Sequence, residues 1–187
     1  MLGERFEIAL LYACQLHADQ TRKQSSIPYL AHLLGVTSIV LEDGGSEDEA
    51  IAALLHDAVE DQGGLRTLDE IREKFGERVA DTVLAVSDSY SVPKLPWRAR
   101  KTAYIKSIQS ASPSAVRVSL ADKVYNARST LQDVRAHGDA AWEKFNGGKE
   151  GTLWYYDELI AAFQGQGLSP LLDELSRLVD EIKKLST

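Results

Sequence analysis

The residues best suited to chemistry lie in the segment LLHDAVED, where His56 and Asp57 interrupt an apolar run. An imidazole and a carboxylate are costly to bury unless they are paired, and together they are good metal ligands. Glu60 and Asp61 follow one helical turn later, which predicts four polar groups on one patch of a helix. Three carboxylates this close repel one another without a cation, so a divalent metal is the simplest explanation. The alternative is a solvated acidic helix end.

Two more ligands are available elsewhere in the chain. His32 in YLAHLLGV and Asp122 in SLADKVYNA each interrupt the apolar face of a predicted helix. Together with His56 and Asp57 they would supply two imidazoles and two carboxylates. That set suits an octahedral Mn²⁺ or Fe²⁺ better than a closed tetrahedral zinc site, and it leaves positions for water and substrate.

A metal site of this kind supports hydrolysis of a phosphate ester. The ion lowers the pKa of a bound water and polarises a phosphoryl oxygen, while a nearby carboxylate accepts the proton. Glu60 is the better placed base, and Asp61 could share that role or hold the water. The spacing does not decide between them, and either carboxylate could instead support the metal ligands.

The elements that must position these residues are helices, because apolar residues recur at spacings of three and four and no segment shows sustained strand alternation. Capping signals precede four of them: Ser46 with Glu49, Thr67 with Glu70, and the Ser-Pro pairs at 112–113 and 169–170. Helices are predicted over about residues 4–20, 28–43, 47–62, 68–75, 78–88, 97–110, 113–134, 152–163 and 170–185. The fold class is therefore all-α, a bundle of about eight to ten helices.

Length and composition indicate one ordinary globular domain over residues 1–187. The chain has 44% hydrophobic and 26% charged residues, with a net charge of −7. A broad basic face for nucleic acid or an anionic membrane is not expected from this balance. Cys14 has no partner for an internal disulfide, and the N-terminus resembles neither a signal peptide nor a membrane span. These observations predict a cytoplasmic protein, and apolar helix faces at both ends leave a homodimer open.

The order His, His-Asp, Asp at these spacings resembles the HD superfamily of metal-dependent phosphohydrolases. More narrowly, RKQSSIPYLAHLLGV, LLHDAVED and LADKVYNAR resemble the hydrolase domain of RelA/SpoT homologues, and the length is similar to that of the small alarmone hydrolases. The resemblance implies an HD-type helical bundle. It also implies removal of the 3′-pyrophosphate from guanosine tetraphosphate or pentaphosphate, with Mn²⁺ as the usual cofactor.

The resemblance also assigns roles to individual residues. It implies that Glu60 and Asp61 orient or deprotonate the attacking water, and that Arg22 and Lys23 bind the phosphates from an exposed, flexible loop. Asn126, four residues after Asp122, matches an Asn that contacts the nucleotide. The implied metal ligands are those reached above from the residues: His32, His56, Asp57 and Asp122.

Other functions remain open at this point. A different HD nucleotide phosphatase could act as a 5′-nucleotidase, an NADPH 2′-phosphatase or a hydrolase of an adenine alarmone, and a catalytically silent nucleotide-binding module is a third possibility. The complete ligand set disfavours the last. The loop from Lys23 to Pro28 departs from the family pattern, which leaves base specificity open. Elsewhere, Lys149 is a candidate for phosphate binding, and Trp154, Tyr155 and Tyr156 are predicted to pack in the core.

Overall fold

The computed structural model describes residues 2–89, 93, 95–167 and 169–186. Within these ranges the chain forms ten α-helices, one short 3₁₀ helix and no strand, which confirms the all-α prediction. The helices are α1 Glu4–Leu16, α2 Leu30–Glu42, α3 Glu47–Leu55, α4 Ala58–Asp61, α5 Leu65–Phe75, α6 Glu77–Val86, α7 Trp97–Ile108, α8 Pro113–His137, α9 Gly148–Gln164 and α10 Pro170–Leu185.

Three of the four predicted helix starts are confirmed. The Ser46 hydroxyl accepts from the backbone N–H of Glu49, whose carboxylate accepts in turn from the Ser46 N–H, so both halves of the capping box form. Ser112 and Ser169 cap α8 and α10, each with a proline in the first turn. These caps satisfy backbone donors that would otherwise be unpaired.

The predicted capping box of Thr67 is wrong. Helix α5 begins three residues earlier than predicted, at Leu65 after Gly64, whose φ of 66° suits glycine. The Thr67 hydroxyl therefore lies inside the helix and donates to the Gln62 carbonyl at 2.7 Å. Its side chain fastens the α4–α5 turn instead of starting a helix.

A single helix through LLHDAVED is also wrong. Helix α3 ends at Leu55, and α4 begins at Ala58. Between them Asp57 adopts φ −95° and ψ −3°, a sparsely populated region common at functional sites. The Asp61 N–H still donates to the Asp57 carbonyl at 2.9 Å, so the two residues remain one turn apart.

The hydrophobic core is continuous from α1 to α10. Helix α8 packs against α2, α3, α6 and α10, and α2 also packs against α3. The three segments that carry the predicted ligands are therefore packed directly on one another. Asp122 lies in the middle of α8, where that helix faces α2 and α3.

Several boundaries differ from the sequence prediction. Helix α1 ends at Leu16 instead of near residue 20, and the FNGGKEG segment is only partly a loop because α9 begins at Gly148. The predicted loop at 89–97 includes residues 90–92 and 94, which lie outside the described residues. Among the described helices, none combines the length and apolar character required to cross a membrane.

Candidate metal centre and its cavity

The four predicted ligands converge on one point in the core. The Nε2 atoms of His32 and His56 lie 3.2 Å apart. Asp57 Oδ2 is 3.4 Å from Nε2 of His32 and 3.0 Å from Nε2 of His56, and Asp122 Oδ1 is 3.3 and 3.7 Å from the same two atoms. Two nitrogens and two carboxylate oxygens therefore face one small volume, the donor set that a divalent cation requires.

Backbone contacts set the orientation of the His56 ring. Its Nδ1 lies 2.7 Å from the Ala53 carbonyl, which can only accept, so Nδ1 carries the proton. The lone pair of Nε2 is then directed at the shared volume, as in metal-binding histidines. Ligand atoms of His32, His56 and Asp57 all lie within 4.8 Å of one another, so these residues fit a metal ion.

Electrostatics keeps the two carboxylates ionised. Burial raises the pKa of Asp57, but the His56 charge and hydrogen bonds from both imidazoles outweigh burial and hold it well below its ordinary value. Burial likewise raises the pKa of Asp122, and the Lys123 charge with the imidazole hydrogen bonds reverses that effect. The carboxylates in turn raise the pKa of His56 well above normal against the effect of burial. A bound cation would replace the proton at this Nε2.

Two neighbours anchor the carboxylates. The Tyr29 hydroxyl donates to Asp57 Oδ2 at 2.5 Å, and burial together with the Asp57 charge raises the pKa of Tyr29, so it remains a donor. Lys123 Nζ donates to Asp122 Oδ2 at 2.6 Å. Each carboxylate is thus held at the centre by a donor adjacent to it in space.

A cavity of about 940 Å³ lies beside the centre, and its wall is rich in cations. That volume is large enough for a nucleotide. The cavity is lined by Arg22, Lys23, Tyr29, Glu60, Arg100, Lys101, Lys123, Asn126, Arg128, Lys144 and Tyr155, among others.

Glu60, predicted as the better placed base, and Asp61, predicted to share that role or hold the water, occupy different surroundings. Glu60 is half-buried and lines the cavity, where its Oε1 lies 3.6 Å from Arg100 Nη1. Asp61 is exposed, and its Oδ2 accepts from Gln20 Nε2 at 2.8 Å. Both residues belong to α4, which follows the break after α3, and their side chains have different partners.

The predicted flexible, exposed position of Arg22 is wrong. Arg22 is half-buried, and its Nη2 donates to Asn126 Oδ1 at 2.9 Å. Its backbone N–H donates to the Ile27 carbonyl at 2.8 Å, which closes the loop. Lys23 is exposed as predicted and donates to Asn146 Oδ1 at 3.0 Å. Both residues and Asn126 line the cavity.

Comparison with known proteins identifies the fold family. The HD domain family matches residues 9–152, most of the chain. The chain belongs to the HD domain family. The mouse guanosine-3′,5′-bis(diphosphate) 3′-pyrophosphohydrolase MESH1 is 40% identical over 175 residues, which are 91% of this chain and 90% of the mouse protein.

Two further relatives agree with this placement. The bifunctional (p)ppGpp synthase/hydrolase SpoT of Escherichia coli strain K12 is 33% identical over 138 residues, 71% of this chain and 19% of SpoT. A solved structure of a metazoan ortholog of SpoT that hydrolyses ppGpp superimposes with a TM-score of 0.76 at 26% identity, covering 98% of this chain and 96% of that one. The HD-type helical bundle is therefore confirmed.

The structure of this HD domain adds residues that the sequence did not single out. Asp88, with a side chain only 5% exposed, pairs with Arg100 and accepts from Lys101 at 2.5 Å. Burial raises the pKa of Asp88, but the two cations hold it below its ordinary value. Arg100 and Lys101 follow two prolines, where no hydrophobic periodicity indicated a buried pair. Asp88 precedes Arg100 by twelve residues, so local spacing did not connect them.

Lys149 and the aromatic residues of α9 lie in different surroundings. Lys149 does not line the cavity; its ammonium pairs with Asp139 and with the carbonyl of Ser186 near the C-terminus. It fastens α9 to the end of α10, so the phosphate-binding candidate is wrong. Tyr155 and Tyr156 are buried as predicted, at 8% and 5% exposure, although both also form part of the cavity wall. Trp154 is only partly buried and packs against the edge of the core.

Proposed function

We propose that this chain is a metal-dependent pyrophosphohydrolase that removes the 3′-diphosphate from guanosine tetraphosphate or pentaphosphate. The observation that carries the proposal is a cluster of two imidazoles and two carboxylates beside a cation-lined cavity, in a chain 40% identical to mouse MESH1 over nine tenths of both proteins. The products would be GDP or GTP and pyrophosphate. In this proposal the ligands are His32, His56, Asp57 and Asp122, and the metal is Mn²⁺.

The bound cation would supply a positive charge that lowers the pKa of water and polarises a phosphoryl oxygen. Glu60 accepts the proton of the attacking water, because it lies on the cavity wall and Arg100 holds its carboxylate from 3.6 Å away. The water oxygen forms the new bond to phosphorus, and the bond from phosphorus to the ribose 3′ oxygen breaks.

The cations of the cavity wall bind and orient the phosphates. Arg22 and Lys23 contribute from one loop, and Arg100 with Lys101 contributes from α7. Guanidinium groups suit this role because their planar N–H donors match phosphate oxygens in pairs. The overall charge of −7 does not oppose a polyanionic substrate, because the positive charge is concentrated at the cavity.

The decisive experiment is a product assay on a panel of nucleotides with and without Mn²⁺. The panel contains guanosine tetraphosphate, guanosine pentaphosphate, the adenine counterpart, NADPH and a nucleoside 5′-monophosphate. Pyrophosphate released from the guanosine compounds supports the proposal. Orthophosphate alone, released from NADPH or a nucleoside monophosphate, would replace it with another HD phosphatase. Tight binding without turnover would indicate a silent nucleotide-binding module.

Three broader predictions belong to this proposal. Residues 1–187 act as one domain, which the continuous core from α1 to α10 supports. A cytoplasmic location and a homodimer stay predictions from the sequence. Light scattering coupled to size-exclusion chromatography tests the dimer directly, since a mass near 20.6 kDa would identify a monomer.

A further inference from the structure

We propose that Tyr29, Tyr125 and Asn126 are positioning residues that hold the Arg22 guanidinium at the cavity and couple it energetically to Asp122. The inference rests on the proposed function in one respect, namely that Arg22 contacts a phosphate of the ligand. Asn126, predicted as a nucleotide contact, would instead link Arg22 to Asp122.

Two aromatic rings lie against the Arg22 guanidinium. Its Cζ is 5.8 Å from the centroid of the Tyr29 ring and 5.9 Å from that of Tyr125. Both distances are within the range of cation–π attraction. Tyr29 precedes α2 and Tyr125 belongs to α8, so the guanidinium is held by two elements that are packed on each other.

The Asn126 amide completes the connection. Its Oδ1 accepts from Arg22 Nη2 at 2.9 Å, and its Nδ2 donates to Asp122 Oδ1 at 2.5 Å. This orientation is the only consistent one, because a guanidinium can only donate and an ionised carboxylate can only accept. Flipping the amide would break both bonds. Asn126 therefore joins Arg22 to the oxygen of Asp122 that faces the two imidazoles.

A glycine in α2 makes room for one of the rings. A Cβ atom at Gly35 would lie 2.0 Å from Cε2 of Tyr125, far inside contact distance. The Tyr125 ring also meets the His32 ring edge-on at 4.9 Å, and its hydroxyl donates to the Ala31 carbonyl at 3.3 Å. The position of this ring is thus fixed by α2, the helix that carries a proposed metal ligand.

These contacts predict energetic coupling. The guanidinium has five N–H donors, and the bond to Asn126 uses one of them, so others remain for a phosphate. Loss of Asn126 would free Arg22 from Asp122 and let the cation adopt many conformations. A phosphate that binds Arg22 would then have to order the side chain, which weakens binding without removing any direct contact.

A double-mutant cycle tests the link through Asn126. The affinity of inorganic pyrophosphate for the full-length protein at fixed Mn²⁺ is measured by calorimetry for the wild type, Arg22→Ala, Asn126→Ala and the double variant. We expect each single change to weaken binding, and the double variant to be about tenfold tighter than the product of the two losses predicts. Independent, multiplicative losses would overturn the coupling.

A second set of variants tests the aromatic contacts. We expect Tyr125→Leu to weaken pyrophosphate binding about fivefold, whereas Tyr125→Phe keeps the ring and stays within about twofold of the wild type. In an Arg22→Ala background Tyr125→Leu should have no further effect. An equal loss in that background would show that the ring acts only on the fold, which would overturn its positioning role.

The same measurements separate this inference from the proposed hydrolase activity. Pyrophosphate binding is read at equilibrium and requires no turnover. If the protein fails to hydrolyse guanosine tetraphosphate but the cycle shows coupling, the proposed substrate is wrong and the positioning role stands. If hydrolysis is observed and the losses are independent, the proposed function stands and the positioning role is wrong.

Discussion

The two sides of the cavity are built in different ways. On the metal side, His32, His56, Asp57 and Asp122 come from α2, the α3–α4 junction and α8, and their ligand atoms lie 3.0–3.7 Å apart in the core. On the substrate side, Arg22 stands on a loop and Arg100 on α7, and each is held by a side chain from another part of the chain, Asn126 and Asp88. Helix packing therefore fixes the first side, and individual side-chain pairs fix the second.

Removal of a metal ligand should have the largest effect. In Asp122→Ala the centre loses one of its two carboxylates, so we expect loss of Mn²⁺ binding at micromolar concentration together with a drop in activity of about 10³-fold or more. Metal content by mass spectrometry and pyrophosphate release measure the two effects. Asp180→Asn on the exposed face of α10 is the control. Full Mn²⁺ occupancy in Asp122→Ala would contradict the ligand assignment.

Replacement of the proposed base should separate metal binding from catalysis. Glu60→Gln keeps the side-chain shape but cannot accept the proton, so kcat should fall about 10²–10³-fold with Mn²⁺ occupancy unchanged. Asp61→Asn should cost less, because Asp61 is exposed and bonded to Gln20. Steady-state kinetics of both variants compares them directly. A larger loss in Asp61→Asn would reverse the two roles.

Replacement of Asp88 should lower the free energy of unfolding without changing Mn²⁺ affinity, because Asp88 pairs with cations of the substrate side. Asp88→Asn removes the buried carboxylate shared by Arg100 and Lys101 and leaves Arg100 with the more distant Glu60, so we expect a loss of about 2 kcal/mol in the free energy of unfolding at pH 7. Mn²⁺ affinity should not change, since the ligands lie elsewhere. Urea unfolding measures the loss, and Asp69→Asn, whose carboxylate is 77% exposed, is the matched control.

The effect of Asp88 should depend on pH with a definite sign. The two cations hold the pKa of Asp88 below its ordinary value of 3.8. Its contribution to stability is therefore complete above that value and is lost as the pH falls through the lower pKa of the folded state. The stability gap between wild type and Asp88→Asn should narrow below about pH 4. A gap that widens in acid would contradict the pairing.

The smallest effect is expected at Lys23. Arg22 is half-buried and held by three residues, whereas Lys23 is exposed and has a single bond to Asn146. Lys23→Ala should raise KM less than about threefold, and Arg22→Ala about tenfold or more, with kcat less affected in both. Equal changes in KM would show that the contacts around Arg22 add nothing to binding.

The sequence allowed more to be predicted about helices than about their junctions. The caps at Ser46, Ser112 and Ser169 were readable because each cap involves residues three apart in one segment. Thr67 carries the same pattern but lies inside α5, because the Gly64 turn starts the helix earlier. The break at Asp57 has no glycine or proline to mark it, and an unbroken helix was the natural prediction.

The sequence by itself determined the all-α class, the family resemblance and the four candidate ligands, since each of these follows from residue types and local spacing. Only the tertiary structure decided that Glu60 faces the cavity while Asp61 does not, that Arg22 is held in place, and that Asp88 pairs with Arg100. The physical reason is the sequence distance between the residues that interact. Helix periodicity repeats every few residues, but the contact from Arg22 to Asn126 spans 104 residues and exists only after α2 and α8 have packed.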